Sequence, residues 1–289
     1  MQLTLGPIQY YWPRKDIHSF YETMLNQPLE RIYLGEVVCG KRHELNAKDW
    51  IELAQQLRSY SDKSIVLSTL TLLESNADLN LVKRLCDNDG LLVEANDMSA
   101  VQRLAQAKLP FVCGPAINIY NHHTLEYLQS LGMQRWVVPV EIGKLQLESI
   151  MQALRGELEV EVFAYGHMPL AYSARCFTAR HLNLDKDSCA YRCLEYPQGL
   201  ALNTQENEQL FIINGIQTLS GQPVNLLSHW QDFESCKVTA LRLSPQWQGM
   251  EEVIQAFDAT RLNKEASLDS GVDGYWLSRP GLDIIAKAG

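Results

Sequence analysis

Residues 31–72 read RIYLGEVVCGKRHELNAKDWIELAQQLRSYSDKSIVLSTLTL. Two near-continuous apolar runs, RIYLGEVV (31–38) and SIVLSTLTL (64–72), flank Ala47 to Tyr60, where apolar residues recur at helical spacing. Asn46 or Asp49 offers a side-chain oxygen to cap that helix. An apolar run without a polar face is a strand buried on both sides, which is how strands of a helix-covered parallel sheet read.

The same unit recurs along the chain. Further β-rich runs are LTLGPIQYY (3–11), GLLVEAN (90–96), PFVCGPAINIY (110–120), RWVVPV (135–140), LEVEVFAYG (158–166) and VTALRLS (238–244). Helical patterns cover Arg14 to Leu25, Leu79 to Asp87, Ser99 to Ala107, Thr124 to Leu131, Leu145 to Leu154 and Gln246 to Leu262, and Pro13 suits the first turn of the first. Eight strands alternating with helices predict a (βα)8 TIM-barrel-like α/β fold, one domain over residues 1–289. Residues 166–237 break the rhythm and read as an insertion between strands 7 and 8. It carries a β-hairpin with arms Leu200 to Thr204 and Gln209 to Ile213. No element is predicted for residues 271–289.

An insertion after a barrel strand sits at the C-terminal face, where barrel enzymes place their chemistry. This one contains three of the seven cysteines. Twelve residues separate Cys176 from Cys189 and three separate Cys189 from Cys193. Thiolates converging from a turn-rich segment bind a soft metal, zinc or an iron–sulfur cluster. A fourth ligand must come from Cys39, Cys86, Cys113, Cys236 or a histidine. Cys39 directly follows the second strand and so lies on the same rim, whereas Cys86, Cys113 and Cys236 stand in apolar contexts that suit packing. Strands 2 and 7 are not neighbours, so the insertion must fold over the barrel mouth to unite the sulfurs.

Other polar residues at strand ends are candidates for the pocket: Glu36, His43, Glu94, Asn96, Asn118, Glu141 and Tyr165. Each can equally cap a helix or pair with an arginine. His167 and His181 lie inside the cysteine stretch, and Arg175, Arg180 and Arg192 flank the sulfurs, where cationic donors raise a cluster's potential. His122 and His123 open a helix and read as capping residues. Ser173 lacks a local base and reads as a turn residue.

Hydrophobic residues make up 46% of the chain and charged residues 20%, ordinary for a protein with a sizeable core. A net charge of −9 argues against a nucleic-acid surface. No apolar run is long enough to span a bilayer, no phosphate loop or dinucleotide fingerprint is present, and a cytoplasmic, reducing location suits the cysteines.

The pattern E-x-F-x-Y-G-x-M-P-L-A-Y-S-x-x-C at Glu161 to Cys176, with GPIQYYW near the start and GYWLSRPG near the end, resembles the U32 peptidase-like family. It is most similar to the branch that works in oxygen-independent ubiquinone biosynthesis. The resemblance implies a [4Fe-4S] cluster on Cys39, Cys176, Cys189 and Cys193, and a heterodimer with a UbiU-like protein. A lipid-binding accessory protein of the pathway is a further implied partner. It also implies hydroxylation of the ubiquinone precursor ring with prephenate as hydroxyl donor, either catalytically or as a non-catalytic electron-transfer subunit; a peptidase is the weaker alternative. Members with peptidase or RNA-hydroxylase roles usually carry His, Cys and Gly where this chain has Tyr165, Pro169 and Ala174.

Overall fold

The structure is a computed structural model that describes residues 1–88, 90–269 and 271–283. Its strands are β1 (Gln2–Leu5), β2 (Arg31–Leu34), β3 (Ser64–Ser68), β4 (Leu92–Ala95), β5 (Phe111–Cys113), β6 (Met133–Val137), β7 (Glu159–Tyr172), β8 (Leu200–Asn203), β9 (Gln209–Asn214), β10 (Gln217–Asn225) and β11 (Ala240–Leu243). β1 to β7 pair in sequence order, all parallel, and β11 closes the ring by pairing with both β7 and β1. This is the eight-stranded TIM-barrel-like α/β fold, with helices in the crossovers.

Those helices are α1 (Arg14–Met24), α2 (Ala47–Ser59), α3 (Asn76–Cys86), α4 (Met98–Gln106), α5 (His122–Ser130), α6 (Lys144–Ala153), α7 (Phe177–His181), α8 (Trp230–Ser235) and α9 (Met250–Arg261). α2 starts on a capping box: the Asn46 side chain accepts from the Lys48 and Asp49 amides, and Asp49 reaches back to the Asn46 amide. Pro13 is itself the N-cap of α1, just outside the first turn where it was expected. The expected last helix starts later, at Met250, after a loop through Gln246 and Trp247.

Two expectations need correction. The seventh strand does not end at Gly166, where the expected run LEVEVFAYG stops; β7 continues through Pro169 to Tyr172. Its barrel pairing ends at Tyr165 opposite Leu243, and from there it pairs antiparallel with β10. Register shifts in β10 on either side of Leu219, the partner of Pro169, accommodate a residue that has no N–H for the ladder. Gly166 makes the change of partner possible: its φ is +122°, and a Cβ there would lie 2.6 Å from Ser244 Cβ. The second correction is β10 itself, which was not foreseen and joins the expected hairpin, β8 and β9, to the end of β7. Residues 284–289 of the tail lie outside the described residues. Residues 271–283 pack back on the barrel, with Val272 bridging Val224 and Trp276 buried against Phe233.

The barrel interior is charged, unlike the branched aliphatic filling usual for this fold. Glu161, fully buried, accepts from Thr4 Oγ1 (2.9 Å) and Arg242 Nε (2.6 Å) on one oxygen, and from Tyr33 Oη (2.8 Å) and Arg135 Nη1 (2.7 Å) on the other. Burial alone would raise its pKa; Arg242 and Arg135 more than reverse this and hold it at about 2. The Arg242 guanidinium also lies 4.1 Å over the Tyr33 ring.

Candidate functional site

The C-terminal mouth of the barrel holds a cavity of about 460 Å³. Glu94, Asn96, Asn118 and Glu141 line it, as expected, together with Arg242, Gln9 and Ser244. Asn96 is fixed by donating from Nδ2 to the Thr69 carbonyl (2.9 Å), and Glu141 is held by the Tyr120 hydroxyl. Tyr165 is not among the lining residues. It packs against Phe257 and borders a separate hollow with His167, whose Nδ1 is 2.8 Å from the Ser220 carbonyl. Burial lowers the His167 pKa, so the ring is neutral and donates from Nδ1.

Beside the cavity, the insertion leans over the end of β2. Lys186 pairs with Glu74 and Lys41 with Asp187, tying the insertion to the loops after β2 and β3. The Tyr191 ring meets the His43 ring edge-on at 4.2 Å, and Trp12 Nε1 donates to the Pro197 carbonyl at 2.7 Å. Ala190 and Tyr191 both take the left-handed conformation (φ 49° and 55°), which kinks the chain between Cys189 and Cys193.

Cys39 and Cys176 pack together on Val37, Val38 and Ile216. Cys176 caps α7, its sulfur 3.4 Å from the Ala179 amide. Cys193 lies within electrostatic range of both Cys39 and Cys176, and burial pushes its thiol up to about 11 against the opposing pull of Arg42. Burial likewise raises Cys39. The Lys41 ammonium is within electrostatic range of both Cys189 and Cys39. All four are half-buried. Among the described residues no group of three or more His, Cys, Asp or Glu is arranged to hold a metal ion.

Arg42 is the residue the sequence reading missed. Its guanidinium is buried, donates to the Gln9 carbonyl (2.8 Å) and to Asn214 Oδ1 (2.7 Å), lies 3.5 Å from Glu36, and is within electrostatic range of Cys193 and Cys39. Among the described residues its buried Nε has no hydrogen-bond partner. A cationic donor lacking an acceptor beside two thiols fits an anionic, sulfur-ligated group, which would supply one-electron redox chemistry when bound. Arg175 and Arg180, by contrast, are exposed, and exposed Arg192 pairs with Glu195. His181 is exposed at the end of α7. His122 and His123 open α5, where Asn121 is the cap. Ser173 Oγ accepts from the Arg175 amide, a turn role as read from sequence. Cys86, Cys113 and Cys236 are buried packing residues whose thiols burial raises to about 12, 12 and 11.

The profile of peptidase family U32 matches residues 18–272, nearly the whole barrel and all of the insertion. The chain belongs to peptidase family U32. Among curated relatives, this U32 chain is 24% identical over 140 residues to tRNA hydroxylation protein P of Escherichia coli (strain K12), a match over 47% of the chain and 29% of that relative's length. Among solved structures it is similar to the U32 peptidase Mk0906 (12% identity, 86% of this chain and 94% of the other, TM-score 0.43). It is similar also to 7,8-dihydropteroate synthase from Vibrio fischeri ES114 (10% identity, 91% and 93%, TM-score 0.45). No helix among the described residues is long and apolar enough to cross a membrane.

Proposed function

We propose that this U32 chain is a UbiV-like subunit of an oxygen-independent hydroxylase. In this reading it holds a [4Fe-4S] cluster on Cys39, Cys176, Cys189 and Cys193 and acts with a UbiU-like partner on the ubiquinone precursor ring, with prephenate as hydroxyl donor. The observation that carries the reading is the approach of Cys39, on the loop after β2, to Cys176 and Cys193 of the insertion, beside the buried guanidinium of Arg42. A hydroxylation role also agrees with the name of the curated relative. The net charge of −9 favours a small molecule over RNA as the acceptor. Held by these four cysteines, such a cluster would supply electron transfer, and the acceptor ring would bind in the adjoining cavity. Among the described residues no hydrogen bond joins the Ser173 hydroxyl to a base, its recorded contact being the Arg175 amide, which speaks against peptide cleavage.

The test is anaerobic reconstitution with iron and sulfide, alone and with the UbiU-like partner. About four irons and four sulfides per chain are expected, with a broad visible absorption band and hydroxylated product only when both proteins are present. Cys39→Ala removes the band and the activity together; a full band in that variant would overturn the ligand assignment.

A further inference from the structure

The second hollow, the one His167 and Tyr165 border, has a volume of about 410 Å³. Five glutamines border it from separate segments: Gln198 before β8, Gln209 on β9, Gln222 on β10, and Gln246 and Gln248 after β11. Tyr10, Tyr165 and Trp247 add aromatic rings to the wall. Among the described residues no Asp, Glu, Lys or Arg lines it, whereas Glu94, Glu141 and Arg242 line the cavity at the barrel mouth. His167 donates from Nδ1 to the Ser220 carbonyl at 2.8 Å, which leaves Nε2 as an acceptor. Among the described residues that nitrogen and the hydroxyls of Tyr10 and Tyr165 make no hydrogen bond. None of the three is among the buried polar atoms that lack a partner, so each keeps surface within reach of a ligand.

A charged ligand would give up its hydration here without meeting an opposite charge, since His167 is neutral. That argument covers phosphates, and with them nucleotides. An apolar ligand would cover the amides and hydroxyls without answering them. Each glutamine amide donates and accepts, each tyrosine hydroxyl does either, and His167 Nε2 accepts, so the matching ligand is neutral and carries hydroxyl or amide groups on several sides. An extended peptide has such groups, but β9 and β10 are each paired along both edges and offer it no backbone ladder. The electron-rich faces of the three aromatic rings suit polarised C–H bonds. A sugar ring combines these features, with hydroxyls around its rim and C–H bonds on its faces. The volume lies within the roughly 300–1,000 Å³ of small-ligand pockets.

We infer that this hollow binds a neutral saccharide. Its hydroxyls are shared among His167 Nε2, the two tyrosine hydroxyls and the glutamine amides, and a C–H face lies on the aromatic wall. The site is separate from the barrel-mouth cavity and does not depend on the hydroxylase reading, so it binds with or without a cluster.

Isothermal titration of the full chain at pH 7 tests it, with maltose, cellobiose and N,N′-diacetylchitobiose as neutral probes, and chitobiose, cellobiouronate, uridine and an acetylated triglycine amide as comparisons. At least one neutral disaccharide is expected to bind with a Kd of about 1 mM or below, and all four comparisons roughly tenfold or more weakly than that sugar. Trp247→Ala should weaken that sugar roughly tenfold. Gln222→Glu, at an exposed position, places a negative charge on the wall, so cationic chitobiose should gain roughly tenfold relative to the neutral sugar. A misfolded variant cannot produce such a gain, and the wild-type ranking needs no variant. No binding of any neutral disaccharide, equal or tighter binding of any comparison, unchanged sugar binding in Trp247→Ala, or an unchanged ranking in Gln222→Glu overturns the inference.

Discussion

Arg42 Nη2 donates a 2.7 Å hydrogen bond to Asn214 Oδ1, across 172 residues of chain. Asn214 in turn donates to the Gln9 carbonyl and to Gln217 Oε1, both at 2.8 Å, and Gln217 reaches the Tyr172 hydroxyl at 2.9 Å. This chain of polar contacts locks the turn between β9 and β10 onto the loop that presents Cys39. Replacing Asn214 with Leu leaves a buried charged donor unpaired, at a cost of about 1.5–3 kcal/mol. Chemical denaturation should show that loss, and hydrogen exchange should quicken in residues 172–196 before it quickens in β1 to β6. Uniform acceleration across the barrel would refute the lock.

Glu161 is expected to be the most sensitive carboxylate in the barrel. It receives four donors and faces two arginines, so Glu161→Gln removes the carboxylate that Arg135 and Arg242 share and leaves them only Glu159 and Glu94. Breaking one member of a buried ion network costs about 3–5 kcal/mol. A urea midpoint shift worth less than about 1 kcal/mol would show that the interior is hydrated.

The same residue sets part of the acid limit. Its folded pKa, about 2, lies below the ordinary 4.5, so it contributes stability that is complete above pH 4.5 and lost as pH falls toward 2. The shift corresponds to roughly 3 kcal/mol at about 1.4 kcal/mol per pH unit. Other lowered carboxylates, Asp49 and Asp232 among them, titrate nearby, so the check is the difference between wild type and Glu161→Gln. That difference should shrink by roughly 3 kcal/mol between pH 5 and pH 2; a constant difference would contradict it.

Much of this was legible in the chain and part was not, for identifiable reasons. Parallel strands covered on both faces declare themselves as apolar runs, so all eight barrel strands were found, although VTALRLS and LEVEVF already carried Arg242 and Glu161 in mid-strand as a sign of a charged interior. The hairpin announced itself through alternation around Glu206 to Glu208. β10 did not, because its pairing with the end of β7 depends on Gly166 changing partners, a long-range choice that local pattern does not encode. Among the arginines, proximity in sequence to Cys176 and Cys193 suggested Arg175, Arg180 and Arg192. Proximity in space selected Arg42, three residues after Cys39, and the only available hint was a basic residue placed beside a strand-end cysteine.

The seven cysteines should separate into two classes by reactivity. Cys86 and Cys113 are buried with thiols pushed up to about 12, and Cys236 to about 11, so at pH 8 the thiolate fraction of the first two is about 10⁻⁴ and access is closed besides. Cys39, Cys176, Cys189 and Cys193 are half-buried at the rim. Iodoacetamide at pH 8 on the metal-free chain, followed by peptide mass mapping, should therefore label Cys176 and Cys189 first, then Cys39 and Cys193, whose burial raises their thiols despite the opposing pull of Arg42 and so slows them. The other three should label only after denaturation. Anaerobic loading with iron and sulfide should protect all four rim cysteines and leave the buried three unchanged. Protection of Cys39 is the decisive part, since it alone comes from outside the insertion: continued labelling there, with Cys176, Cys189 and Cys193 protected, would move the fourth ligand elsewhere.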